Sequence, residues 1–119
     1  MTDLEIQDYL RDNGYPAHIV NDGRKGLPQR WREFVGQVES GYPLGLEEYR
    51  NDLDVRAIIQ LAGVDDDGIR ALDERLKKIL TATDVRVWES APSAFWDFGY
   101  PRNAGPDLIT DLREEGLLI

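Results

Sequence analysis

Up to about position 81 the apolar residues recur at the three- and four-residue steps of helices; beyond it they alternate. Leu4, Ile6, Tyr9 and Leu10 form a modest stripe, and Thr2-Asp3-Leu4-Glu5 in front of them matches a capping box. This predicts a first helix running to about Asn13 and ended by Gly14. Positions 15–26 carry Pro16, Asn21-Asp22-Gly23 and Gly26 and read as a loop, with a short extended piece at 17–20. Pro28 suits the first position of a second helix, whose face is Trp31, Phe34, Val35 and Val38 and whose end is Gly41. Positions 46–62 read as a third helix with two stripes, Leu46, Tyr49 and Leu53, then Val55, Ile58, Ile59 and Ala62. The change falls at Asn51-Asp52-Leu53-Asp54, where side chains compete for backbone hydrogen bonds, so a bend is predicted there.

After Gly63, Asp65, Asp66 and Asp67 suit a helix start, and Ile69, Leu72, Leu76, Ile79 and Leu80 give a clean buried face to about Thr81. Asp84-Val85-Arg86-Val87-Trp88-Glu89 then alternates as a strand does. Ala91-Pro92-Ser93 reads as a turn and Phe95-Trp96-Asp97-Phe98 as a second strand. A two-stranded ribbon is marginal alone, so its aromatic side is expected to lie on the helices. Pro106 opens a last short helix with Leu108, Ile109 and Leu112. Three copies of Gly-Tyr-Pro, at 14–16, 41–43 and 99–101, mark corners, the first two at the ends of predicted helices. The predicted fold is mainly α: one domain over 1–119, a helical bundle of four to five helices with a small C-terminal β-hairpin.

Composition narrows the chemistry. With 119 residues and no cysteine, the chain has the length of one domain and no thiolate, disulfide or cysteine nucleophile. The acidic start and the absence of a long apolar run suggest a cytoplasmic protein with no membrane span. A formal charge of -9 repels phosphate backbones and argues against nucleic acid as a partner. The same charge attracts a basic partner if the acids are gathered on one surface.

The catalytic and metal motifs are weak. Asp65-Asp66-Asp67-Gly68 with Glu74 partly fits a calcium loop, but the first ligand position falls on Gly63, so no metal site is expected. His18 is the only histidine and lacks a partner for acid–base relay. Gly23-Arg24-Lys25-Gly26 lacks the spacing of a phosphate loop and reads as a mobile turn. Asp97 sits among aromatics, and alternation predicts that it faces solvent or pairs with Arg86 or Arg102. Asp52 and Arg56 are spaced to pair on one helical turn.

Tyr49-x-Asn51-Asp52-Leu53-x-x-Arg56 and Pro101-x-Asn103-x-Gly105-Pro106-x-Leu108, with Leu72-Asp73-Glu74-Arg75 between them, resemble elements of small, uncharacterised bacterial proteins that carry them in this order. The likeness covers about 31–112. It implies a shared fold of helices plus an aromatic hairpin and carries no catalytic residue across.

No catalytic residue and no cofactor are therefore predicted, and a non-enzymatic role is favoured. The expected function is that of an acidic protein-binding domain, in its sharpest form an immunity- or antitoxin-like inhibitor of a basic protein. Its predicted binding face comprises Glu47, Glu48, Asp52, Asp65, Asp66 and Asp67, with Tyr42 and Trp96 as exposed anchors. The alternative is a small ligand-binding or enzymatic domain built on the aromatic hairpin around Asp97. Oligomeric state is left open.

Overall fold

The computed structural model describes residues 2–63, 66–82, 87 and 95–117. Helix α1 spans Asp3–Asp12, α2 Ala17–Ser40, α3 Leu46–Ala62 and α4 Asp67–Lys77. Strand β1, Leu80–Ala82, and strand β2, Gly99–Pro101, precede α5, Pro106–Glu114. Both the mainly helical architecture and the small antiparallel pair near the C-terminal end agree with the sequence. Among the described residues no helix is long and apolar enough to cross a membrane.

The helix ends follow local chemistry. Thr2 Oγ1 accepts from Glu5 N at 3.2 Å while Thr2 N donates to Glu5 Oε1 at 3.1 Å, the reciprocal pair of a capping box. Past α1, Gly14 N donates to the Arg11 carbonyl and Tyr15 N to that of Leu10, closing the turn in a Schellman arrangement. The same pattern ends α5, where Gly116 N reaches the Arg113 carbonyl and Leu117 N the Leu112 carbonyl. Asp66 caps α4 by accepting from Ile69 N at 2.9 Å.

Four elements depart from the sequence reading. Positions 17–26 are helical rather than looped. One residue absorbs the break: Gly23, at φ 55° and ψ −137°, lies inside α2, and Asp3 Oδ1 accepts from the next amide, Arg24 N, at 2.9 Å. A Cβ on Gly23 would stand 2.5 Å from that same oxygen, so both the backbone angle and the approach of α1 require glycine here. Helix α3 runs unbroken through 51–54, where the Asp52 and Asp54 carboxylates that could have competed for backbone amides accept hydrogen bonds from tyrosines instead. Arg56 pairs with Asp73 of α4, not with Asp52.

The hairpin also lies elsewhere. Its pairing is Leu80 with Pro101, Thr81 with Tyr100 and Ala82 with Gly99, which ends α4 at Lys77 instead of near Thr81. The predicted strand at 84–89 and turn at 91–93 fall outside the described residues apart from Val87. Phe95–Phe98 is a 3-10 turn, not a strand. Trp96 and Asp97 are both buried, at 3% and 0% exposure, and successive strand residues point to opposite faces, so a two-stranded ribbon cannot bury both on one core.

The core is built around α2 and α3. Trp31 stacks on Phe34 at 5.0 Å between ring centroids, and Phe34, Tyr42 and Tyr49 meet edge to face or tilted at 5.5 to 5.9 Å. Ile6 and Leu10 bring α1 into this core, Leu72 and Leu76 bring α4, and Leu108 and Leu112 bring α5. Two contacts fasten the C-terminal part to α3 and its entry loop. Asp111 Oδ2 accepts from Leu46 N at 3.0 Å, supplying from α5 the cap that Gly45 cannot give, and Gly105 N donates to the Tyr42 carbonyl at 2.8 Å. A Cβ on Gly105 would lie 2.9 Å from that carbonyl oxygen.

Candidate functional site

Helix α3 places Asp52 and Arg56 one turn apart on the same side, with Asp54 between them roughly half a turn around the axis. Arg56 points into the core and is 4% exposed. Its Nη2 lies 2.9 Å from Asp73 Oδ2 and its Nε 3.1 Å from Asp73 Oδ1, while Trp31 Nε1 donates to the same Oδ1 at 3.0 Å. The Arg56 guanidinium also stands 5.2 Å from the Trp96 ring centre. This group binds α2, α3, α4 and the 3-10 turn together.

Asp52 and Asp54 point toward a cleft of about 480 Å³ between α2, α3 and the turn joining α1 to α2. Ile19, Phe34 and Val55 form its apolar wall, residues 13–16 one rim, and Arg30, Glu33, Gln37 and Asn51 its remaining polar groups. Tyr42 Oη donates to Asp52 Oδ2 at 2.7 Å and Tyr15 Oη to Asp54 Oδ2 at 3.2 Å. Burial pushes both carboxyls above the usual aspartate range. The tyrosine bond partly offsets that in each case, and nearby Glu48 adds to the rise at Asp52. Burial likewise pushes the Tyr15 and Tyr42 hydroxyls up, reinforced by the carboxylates they face. Among the described residues neither aspartate is paired with a lysine or arginine. Arg30, the cation on the cleft wall, donates to Asp22 at 3.3 Å.

A second depression, of about 410 Å³, lies on the other side of Asn51 between the start of α3 and the end of α5. Leu46, Glu47, Arg50, Asp111, Glu114 and Glu115 line it together with Asn51. Arg50 Nε is engaged by the Val87 carbonyl at 3.0 Å.

The predicted binding face divides in this geometry. Glu47 and Glu48 are exposed on the first turn of α3, whereas Asp66 and Asp67 are exposed at the start of α4. The 17 residues of α3 between them span about 25 Å, so the acids do not form one continuous surface. Asp66 serves as a helix cap and Asp67 pairs with Arg70 at 2.9 Å. Asp65 lies outside the described residues. Tyr42 and Trp96, expected as exposed anchors, are 0% and 3% exposed: rings of this size are taken up by the aromatic core, and only the Tyr42 hydroxyl reaches a polar partner at the cleft. Asp97 does not face solvent, the first of the two outcomes expected for it, the other being an ion pair. It is buried in the 3-10 turn, where its carbonyl accepts from Val87 N at 2.7 Å, and it lines neither depression.

His18 is exposed on α2. The stretch 23–26, read as a mobile turn, holds the break at Gly23 and returns to helix from Arg24 onward. Among the described residues no group of three histidine or carboxylate side chains is arranged to hold a metal ion. The sequence did not single out Tyr15 and Asp54 as a pair. They are 39 residues apart, and the two-residue spacing of Asp52 and Asp54, which puts them on different sides of a helix, gave no sign that both would border the same cleft.

Compared with family models, with curated proteins and with solved structures, the chain matches none.

Proposed function

We propose that this chain works by binding a basic protein partner and catalyses no reaction, in the manner of an immunity- or antitoxin-type inhibitor. The observation that carries this reading is the state of Asp52 and Asp54: two partly buried carboxylates at a cleft, each held by a neutral tyrosine hydroxyl and neither matched to a cation among the described residues. Burying a charge without a counter-charge costs stability, and groups kept in that condition concentrate at functional sites. A guanidinium or ammonium group entering the cleft would supply the missing charge and make charge-assisted hydrogen bonds to oxygens that the tyrosines leave free. The overall charge of -9 favours the encounter. The binding centre in this reading moves from the α4 acids and the two buried rings to Asp52 and Asp54, with Glu47 and Glu48 at the adjoining end of α3. A pocket around Asp97 loses support, because that residue and Trp96 are consumed by the core.

Calorimetric titration with an arginine-rich peptide tests the proposal. Binding is expected to weaken as salt rises and to fall about tenfold or more when Asp52 and Asp54 are both replaced by asparagine. Equal affinity of the double variant and the parent, with both folded by circular dichroism, would overturn it.

A further inference from the structure

The two depressions share Asn51. It borders the tyrosine-held aspartates on one side and the α3–α5 depression on the other, so the hollows adjoin across the outer surface of α3. Its neighbours in sequence have internal tasks: Tyr49 donates to the Gly99 carbonyl at 3.3 Å, Asp52 accepts from Tyr42, Leu53 is buried and Arg56 holds Asp73. Asn51 has none. It is exposed, and its side-chain amide has no hydrogen-bond partner among the described residues. A free amide offers both a donor and an acceptor, the pair that an extended peptide backbone presents in complement.

Resting on the reading proposed above, we infer that the two hollows form one track that takes an extended, basic segment of the partner, with Asn51 hydrogen-bonding its backbone midway. A cationic side chain enters the deeper cleft toward Asp52 and Asp54. Another, further along the segment, lies in the second hollow beside Glu47, Glu114 and Glu115. All three of those glutamates are exposed, so they act as a rim that attracts and orients. Arg50 is held by the Val87 carbonyl and Arg30 by Asp22 through Nη2, with the buried Arg30 Nε left without a hydrogen-bond partner among the described residues, and carboxylates outnumber these two cations along the track. The occupant is a polypeptide because a single small cation would fill one hollow and leave Asn51 and the second unused.

The test compares two probes, N-acetyl-arginine amide and a ten-residue peptide of alternating arginine and serine, by calorimetry at low salt. The peptide is expected to bind at least about tenfold more tightly than the single residue. Asn51→Ala, and separately the pair Glu114→Gln with Glu115→Gln, are each expected to weaken the peptide about three- to tenfold and to leave the single residue unaffected. The pair Asp67→Asn with Glu74→Gln removes two charges from α4 and serves as the control for the general field; it is expected to change peptide affinity less than twofold. All five positions are exposed, so folding is retained.

Equal affinity for the two probes, or a peptide affinity indifferent to Asn51 and to the α5 pair while Asp54→Asn still abolishes binding, would overturn the track and leave the single cleft. An equal effect of the α4 control pair would reduce the interaction to overall charge and overturn it too. Failure of the peptide to bind at all would sink the underlying reading with it.

Discussion

Helix α3 carries two kinds of buried charge within one and a half turns. Arg56 has its charge matched inside the fold: a two-pronged carboxylate partner on α4, a tryptophan N–H sharing that carboxylate and an aromatic face alongside. Asp52 and Asp54 differ. Tyrosine hydroxyls orient them, yet no cation among the described residues balances them, and they line an open cleft. The counter-charge separates the two. A charge whose counter-charge is supplied by the chain has its role inside the fold, whereas a charge left with neutral partners beside an open cleft keeps unspent capacity for something outside it.

The largest effect is expected from the complete pair. Asp73→Ala leaves Arg56 without its carboxylate and Trp31 Nε1 without its acceptor inside the core, and is expected to cost about 3–5 kcal/mol in urea unfolding followed by tryptophan fluorescence. Asp73→Asn keeps an acceptor for Trp31 but not the charge, so it should lose most of that amount and less than alanine does. A loss below about 1 kcal/mol for Asp73→Ala would erase the distinction between the two regions.

Intermediate effects are expected from the tyrosines. Tyr42 is wholly buried and its hydroxyl meets a charged acceptor at 2.7 Å, so Tyr42→Phe should cost about 1.5–3 kcal/mol. Tyr15 is half-buried and its bond is longer, at 3.2 Å, so Tyr15→Phe should cost about 0.5–1.5 kcal/mol by the same measurement. The order matters more than the values: if Tyr15→Phe proved the costlier, the turn at 13–16 would hold the fold rather than rim a cleft.

Much of this was legible in the sequence, and what was not shares one cause. Helix stripes, the Thr2 capping box and the Pro106 start are encoded within a few residues of one another, so a local pattern suffices. The same holds for Gly41, which ends α2 at φ 104°. Partners of charged groups are not local. The spacing of Asp52 and Arg56 suggested a bond along the helix, but Asp73 and Tyr42, from other elements, won those partners. The same long-range contacts let α3 continue unbroken, because carboxylates claimed by Tyr42 and Tyr15 no longer compete for its amides. Gly23 misled for a related reason. Asn21-Asp22-Gly23 carries the composition of a turn, yet Asp3, twenty residues earlier, supplies the acceptor that lets the helix resume at once. Aromatic rings at 95–98 suggested a strand, and the core's demand for both Trp96 and Asp97 produced a 3-10 turn.

The smallest effect runs opposite in sign and sharpens the comparison most. Burial raises the Asp54 carboxyl above its ordinary value of about 3.8, so the folded chain holds that proton more firmly than the unfolded chain does. The favourable contribution is therefore complete below about 3.8 and is lost as pH rises through the raised folded value. At about pH 7 the charged group opposes folding. Asp54→Asn removes that opposition and keeps an oxygen to accept from Tyr15, so thermal unfolding at about pH 7 should show a gain. Half-exposure and solvent screening hold that gain below about 1 kcal/mol. At about pH 3 the parent aspartate is already neutral and the gain should vanish. Asp73→Asn, on the complete pair, should destabilise at about pH 7, where Asp54→Asn stabilises. A substitution that strengthens the fold and weakens binding of the arginine peptide would place Asp54 among residues kept at a cost to stability for the sake of a partner. A loss of stability at neutral pH would instead make it one more structural charge.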